Sequence, residues 1–132
     1  MKIHHLGIAV ESLEEAIPLF ERMLGRAPVA RETVTEQGVC VAVFEVGESR
    51  IELLESAAPD SPIARFIAKR GPGIHHLSLT VPDLDQSLKE MEQSGIRPVD
   101  RKARAGAQNG RVAFLHPKST AGVLIELVEE KK

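Results

Sequence analysis

The chain has 132 residues, enough for one domain with a core of its own, and carries a net charge of −2. That charge gives no basic surface for nucleic acid, and with four Phe and no Trp or Tyr the chain has few stacking platforms for bases. The single cysteine, Cys40, lies in an apolar run and is predicted to be a buried, reduced thiol. Neither a signal region nor an apolar stretch of membrane-spanning length is present in the pattern, so we expect a cytoplasmic protein that binds no membrane.

The sequence contains an internal repeat of two similar modules. The run KIHHLGIAV (residues 2–10) returns as GIHHLSLTV (residues 73–81), and IELLE (residues 51–55) returns as IELVE (residues 125–129). The offset between matching positions stays between 70 and 74 residues, which indicates corresponding structural elements. Two copies alone favour a closed pair of modules related by a pseudo-twofold axis over a solenoid.

The first module (residues 1–56) is predicted to be a strand, a helix and three further strands. Alternation and β-branched residues predict a strand over residues 3–10. Ser12 and Glu15 form a capping box for a helix of about residues 12–24, in which Pro18 should produce a kink or delay the start. Strands follow over residues 29–36, 39–46 and 50–55, separated by glycine-containing turns.

A linker (residues 57–72) with a short helix over residues 63–69 joins the modules, and the second module (residues 73–132) repeats the order. We expect its first strand over residues 74–81, a helix opened by Asp83, and strands near residues 97–103, 111–116 and 122–129. The glycine-rich run of residues 105–110 lacks the setting of a phosphate-binding loop and is predicted to be a hairpin loop.

The faces of the two opening strands separate the adjacent histidines. His5 shares its face with small residues, and His76 shares its face with Ser78 and Thr80, while the bulky residues occupy the opposite faces. We expect the bulky faces to pack on helices and the small faces to line a cavity. His4 and His75 are the weaker candidates, although a register slip of one residue would exchange the roles within each pair.

Four residues with metal-ligand chemistry recur in matching slots of the two copies, namely His5, Glu52, His76 and Glu126. Each alone is more often a structural histidine or a solvated glutamate, but the repetition of both slots favours a site. Two imidazoles and two carboxylates suit one divalent ion such as Zn, Co, Ni or Mn. An open position on that ion would make it a Lewis acid.

These modules resemble the vicinal oxygen chelate superfamily, which includes glyoxalases, bleomycin-resistance proteins and extradiol dioxygenases. Within it, DSPIA (residues 60–64), HPKS (residues 116–119) and GVLIEL (residues 122–127) are similar to the methylmalonyl-CoA epimerases, along with the two histidine-containing runs. The resemblance covers nearly the whole chain.

The resemblance implies an α+β fold in which two βαβββ modules form a cup-shaped, eight-stranded mixed sheet, and a homodimer. It also implies a metal-dependent isomerase of propionate metabolism that interconverts (2R)- and (2S)-methylmalonyl-CoA by 1,1-proton transfer through an enolate that the metal stabilises. The substrate agrees with this chemistry, because its α-proton lies between a thioester carbonyl and a carboxylate, whose oxygens can chelate a cation.

One position departs from the epimerase pattern. Some epimerases place a glutamate base on the third strand, at the slot that holds Val41 here, and Glu45 lies four residues further on. The related glyoxalases use metal-binding glutamates in the positions of Glu52 and Glu126 as bases. We therefore expect Glu126 and Glu52 to move the proton.

Contacts to coenzyme A are assigned to two cations, Lys118 in HPKS and Arg111 beside the glycine-rich run. Lysines and arginines at strand ends are more often simply solvated, and this alternative applies to both residues. Glyoxalase I, a lactoylglutathione lyase, is the alternative activity, since the same four ligands would serve it. A binding-only module is a further alternative, disfavoured because such proteins bind with aromatic walls and this chain has almost no aromatic residues.

Overall fold

A computed structural model describes residues 1–99, 104–105 and 111–129 of the chain. The chain divides into two compact units. The N-terminal unit is His5–His75, and the C-terminal unit combines Met1–His4 with His76–Lys132. The predicted hairpin loop of residues 105–110 lies almost wholly outside the described residues, as does most of the strand predicted near residues 97–103.

The N-terminal unit has the predicted order of strand, helix and three strands, followed by the linker helix. Its strands are hydrogen-bonded in the order β2-β3-β4-β1, with β1 parallel to β4 and the other pairs antiparallel. The elements are β1 (Ile3–Ala9), α1 (Leu13–Leu24), β2 (Ala30–Val34), β3 (Val39–Val46), β4 (Ser49–Ser56) and α2 (Pro62–Arg70).

The C-terminal unit repeats this topology with the strand order β5-β8-β7-β6, in which β5 and β8 are parallel. The first residues of the chain belong to it, because the Thr80 amide donates to the Lys2 carbonyl at 2.9 Å. The elements are β5 (Gly73–Thr80), α3 (Leu84–Gln93), β6 (Arg104–Ala105), β7 (Arg111–Leu115) and β8 (Ile125–Glu129). The α+β class and the repeated βαβββ order are confirmed.

Each unit buries the bulky face of its opening strand against its own helix, as the alternation of residues predicted. In the N-terminal unit, Ile8 and Val10 pack with Leu13 and Ile17 of α1. In the C-terminal unit, Leu79 and Val81 pack with Leu84 and Leu88 of α3. Since the bulky residues are taken up by these two cores, the opposite strand faces are left for His5 and His76.

Both units begin their helix in the same way. Ser12 Oγ accepts from the Glu15 amide at 3.3 Å, and Asp83 Oδ1 accepts from the Gln86 amide at 3.0 Å. A glutamate from the last strand of each unit adds a second cap: Glu55 accepts from the Leu13 amide at 2.7 Å, and Glu129 accepts from the Leu84 amide at 2.9 Å. These carboxylates satisfy an amide that has no partner within the helix and lie at its positive end.

Some boundaries differ from the predicted ones. The helix α1 begins at Leu13 with Pro18 inside it, so of the two predicted effects of Pro18 the delayed start is excluded, and the kink stays a prediction. The strand β2 ends at Val34, because residues Thr35–Gln37 form a 3₁₀ turn that Gly38 closes with φ +64°. In the region predicted as the strand 97–103, Pro98 forms an isolated bridge with Leu115 and the strand β6 comes later.

The structure bears on the predictions about Cys40 and about membrane-spanning segments. Cys40 is a free thiol that is half-buried rather than fully buried, and it packs against the N-terminal core. Within the part of the chain that the structure describes, no helix has both the length and the apolar character needed to cross a membrane.

Candidate functional site

In the N-terminal unit a histidine and a glutamate meet in a buried position. His5 Nδ1 lies 3.2 Å from Glu52 Oε2, and the side chains are 4% and 6% exposed. The parallel register of β1 and β4 places Glu52 opposite Gly7, two residues along the strand from His5. Because side chains two residues apart point to the same face of a strand, the register accounts for the contact.

The C-terminal unit holds a second pair of the same kind. His76 Nε2 lies 3.6 Å from Glu126 Oε1, and each side chain is 6% exposed. Glu126 is opposite Ser78 in β5 and opposite Phe114 in β7. The Phe114 ring meets the His76 imidazole edge to face, with 5.8 Å between the ring centroids, and so restricts its orientation.

The chemistry of these four side chains fits a divalent cation. A carboxylate removed from water is costly unless a cation or hydrogen-bond donors compensate its charge, and each unit buries one carboxylate beside an imidazole. In both pairs the ligand atoms of the two side chains lie within 4.8 Å of each other. Nitrogen and carboxylate oxygen donors suit Zn, Co, Ni or Mn better than a soft ion such as Cu(I).

The other two histidines are less buried than these. His4 and His75 are both half-buried. The His75 ring meets the Phe66 ring edge to face, with 5.0 Å between centroids. Parity along the strands therefore identified the more buried histidine of each adjacent pair correctly, whereas metal binding by His5 and His76 stays a prediction.

The slot of the third-strand base is apolar in this chain. Val41 in β3 is 2% exposed, while Glu45 is exposed near the end of the same strand. The residue opposite Val41 in β2 is Glu32, which is half-buried. Glu45 thus has the exposed position of an ordinary strand-end carboxylate.

The two residues predicted to contact coenzyme A lie in different surroundings. Arg111 donates to Glu129 Oε2 at 2.8 Å and to Asp85 at 3.2 Å, and the hydrogen bonds to Glu129 and then Asp85 raise the pKa of its guanidinium above the ordinary value. Lys118 is exposed in the 3₁₀ turn Pro117–Ser119, where its amide donates to His116 Nδ1 at 3.1 Å. Arg111 therefore links α3, β7 and β8, and its contact with coenzyme A stays a prediction.

Two kinds of residue at these sites were missed from the sequence. Ser78 was assigned only to a strand face, although its hydroxyl is fully buried beside the second pair. Glu55 and Glu129 were assigned only to strand ends, although both cap helices. The repeat itself carried a signal for the caps, because IELLE and IELVE place a second glutamate three residues after the first, on the opposite strand face.

A family model described as the glyoxalase/bleomycin resistance protein/dioxygenase superfamily matches residues 4–114. The chain belongs to this superfamily, and within it to the family of the methylmalonyl-CoA epimerases. The human mitochondrial methylmalonyl-CoA epimerase is 34% identical to it over 127 residues, which cover 96% of this chain and 72% of the human protein.

Solved structures of epimerases are similar over nearly the whole chain. The crystal structure of methylmalonyl-CoA epimerase from Mycobacterium tuberculosis matches with a TM-score of 0.95 and 40% identity, covering 99% of this chain and 89% of that one. A variant of the Streptomyces coelicolor methylmalonyl-CoA epimerase, in complex with 2-nitronate-propionyl-CoA, matches with a TM-score of 0.95 and 32% identity, covering 98% and 94% of the two chains. The sequence relatives and the similar solved structures therefore indicate the same family.

Proposed function

We propose that this protein is a methylmalonyl-CoA epimerase, an isomerase that interconverts the (2R) and (2S) forms of its substrate. The observation that carries the proposal is the similarity to proteins of that name over almost the full chain, one of them solved in complex with 2-nitronate-propionyl-CoA. The buried histidine–glutamate pair in each unit supports it, because a carboxylate held out of bulk water is suited to take up and return a proton next to a carbonyl.

His5, Glu52, His76 and Glu126 are proposed to hold one divalent metal ion per chain. The support comes from the donor chemistry, from the burial of all four side chains and from their matching slots in the two copies. When bound, the ion supplies a Lewis acid that polarises the thioester and carboxylate oxygens of the substrate. Co, Zn, Ni and Mn all satisfy this donor set.

Glu126 and Glu52 are proposed as the two bases of the reaction. One carboxylate takes the α-proton, and the electron pair of the broken C–H bond is delocalised into the adjoining thioester and carboxylate groups. The other carboxylate returns a proton to the opposite face of the same carbon, which inverts the configuration without any net change in composition. Val41 cannot share this role because its side chain has no ionisable group.

Lys118 is the proposed cationic contact for the phosphates of coenzyme A. Its exposure leaves the ammonium group accessible to a ligand. Arg111 was predicted for the same role, but contact with coenzyme A would require its guanidinium to exchange or share the carboxylates of Glu129 and Asp85. We also propose that the protein is a homodimer and that it acts in the cytoplasm, in propionate metabolism.

The substrate is tested by offering the metal-loaded protein two compounds in parallel. We expect stereochemically pure (2S)-methylmalonyl-CoA to reach an equilibrium mixture of epimers, and methylglyoxal with glutathione to give no lactoylglutathione. Chiral analysis of the acyl group and absorbance of the thioester measure the two outcomes. Formation of lactoylglutathione without epimerisation would contradict the proposal and favour glyoxalase I.

A further inference from the structure

Ser78 is a buried polar residue that the reaction outlined above does not use. It lies in β5 with 0% of its surface exposed, and its Oγ atom has no hydrogen-bond partner among the residues that the structure describes. A buried hydroxyl without a partner destabilises a folded protein, and such a group in a native structure is explained by a bound water or ion, by strain or by a functional role.

A second buried serine shows how different this situation is. Ser61 is 5% exposed, and its Oγ lies 2.6 Å from Ser56 Oγ and accepts from the Ala64 amide at 3.0 Å. Its hydroxyl therefore stabilises the start of α2 in the ordinary way. Ser78 has comparable burial, but its Oγ has no such contact with any residue that the structure describes.

The position of Ser78 points to the group it can serve. It shares a strand face with His76, two residues earlier, and lies directly opposite Glu126 in the parallel register of β5 and β8. Because Ser78 is fully buried, a substrate that enters from solvent does not reach it, and Glu126 on the neighbouring strand offers a carboxylate acceptor. The matching slot of the N-terminal unit holds Gly7, which has no hydroxyl.

We propose that Ser78 is a positioning residue whose hydroxyl donates a hydrogen bond to the Glu126 carboxylate when the protein holds its divalent ion. The inference rests on the proposed function, because it requires the metal site. A hydrogen bond of this kind fixes the orientation of a carboxylate ligand, and loss of such outer contacts typically lowers metal affinity by about 10- to 100-fold. Only the second copy has this donor, so the two glutamates are not equivalent.

The test is a titration of Co²⁺ alone into the wild-type protein and into the variants Ser78→Ala and Ser61→Ala, followed by calorimetry. We expect one ion per wild-type chain, a dissociation constant raised about tenfold in Ser78→Ala, and an unchanged constant in Ser61→Ala. The melting temperature of the metal-free protein separates this role from a structural one. It should stay the same or rise in Ser78→Ala and fall in Ser61→Ala, because only the second change removes existing hydrogen bonds.

Three results would overturn the inference. Equal Co²⁺ affinity in Ser78→Ala and wild type would remove the role of Ser78 and leave the proposed function intact. A lower melting temperature of metal-free Ser78→Ala would show that the hydroxyl already has a structural partner. Absence of stoichiometric Co²⁺ binding in the wild type would overturn the metal site itself, and this inference with it.

Discussion

Glu126 is a buried carboxylate, since the residue as a whole is only 5% exposed, and glutamates are rarely buried to this extent. We predict that Glu126→Gln, which keeps the size of the side chain but cannot accept a proton, lowers kcat for epimerisation by at least about a hundredfold. Steady-state kinetics on the metal-loaded protein measures the effect. The exposed Glu45 provides the control, because Glu45→Gln should leave kcat unchanged. A Glu126→Gln variant with activity close to wild type would exclude Glu126 as a base.

Because Lys118 is exposed, we expect it to contribute only a little to the binding of coenzyme A. We predict that Lys118→Met raises KM for methylmalonyl-CoA about threefold with little change in kcat, because solvent weakens an ion pair between exposed groups. The effect should disappear at high salt. Lys89→Met, at an exposed position on α3, is the control for a general loss of positive charge. Identical KM values for the two variants would remove Lys118 from the coenzyme A site.

At the scale of secondary-structure elements, the last strand of each unit has a structural glutamate and a candidate functional one. Glu52 points toward His5, while Glu55, three residues later, caps α1 from the opposite face of β4. The same division holds for Glu126 and Glu129 in β8. In each unit, the last strand thus positions a candidate site residue on one of its faces and caps the helix that packs against its opposite face.

The cap made by Glu55 gives a prediction about stability. We expect Glu55→Ala to lower the free energy of unfolding by about 1 kcal/mol, because the Leu13 amide at the start of α1 loses its acceptor. Urea denaturation of the metal-free protein measures this change. Glu48→Ala, in an exposed turn, should have almost no effect. If both variants unfold at the same urea concentration, the cap does not stabilise the protein.

The sequence predicted most of these elements because their signals are local. Alternation identified the strand faces, and serine or aspartate followed by an apolar helix pattern identified both helix starts. The caps made by Glu55 and Glu129 could not be predicted from such signals, since each joins residues more than 40 positions apart. The sequence also could not predict that Ser78 Oγ has no hydrogen-bond partner among the described residues, because strand parity assigns a face and not a hydrogen bond.

At the scale of the whole molecule, the internal repeat was the most informative feature. It predicted two units of equal topology and singled out one histidine and one glutamate in each, and these residues are the ones that meet in the structure. The ion pairs of Arg111 could not be predicted from the repeat. The sequence indicates a cation near a strand end, but the ion pair with Asp85 depends on how α3 packs, and the ion pair with Glu129 depends on the register of β7 and β8.

Metal binding should also be visible in the stability of the whole chain. An ion that binds only the folded protein stabilises it by about 4 kcal/mol at a thousand times its dissociation constant. For a chain of this length, we therefore predict that removal of the metal with EDTA lowers the melting temperature by about 15 °C. Differential scanning calorimetry with and without added Co²⁺ measures the shift. The shift should be nearly absent in a variant that carries both His5→Ala and His76→Ala, and an equal shift in that variant would place the ion elsewhere.

Exchange of the substrate's α-proton in heavy water tests the central claim most directly, because it reports proton abstraction whichever epimer is used. In proton NMR of the metal-loaded protein with methylmalonyl-CoA, we predict loss of the α-proton signal at a rate that depends on the metal and far exceeds the rate with Glu126→Gln. Exchange that is equally fast after complete removal of the metal would contradict the metal-dependent mechanism. A fully metal-loaded, folded protein that leaves the α-proton in place would contradict the proposed epimerase function itself.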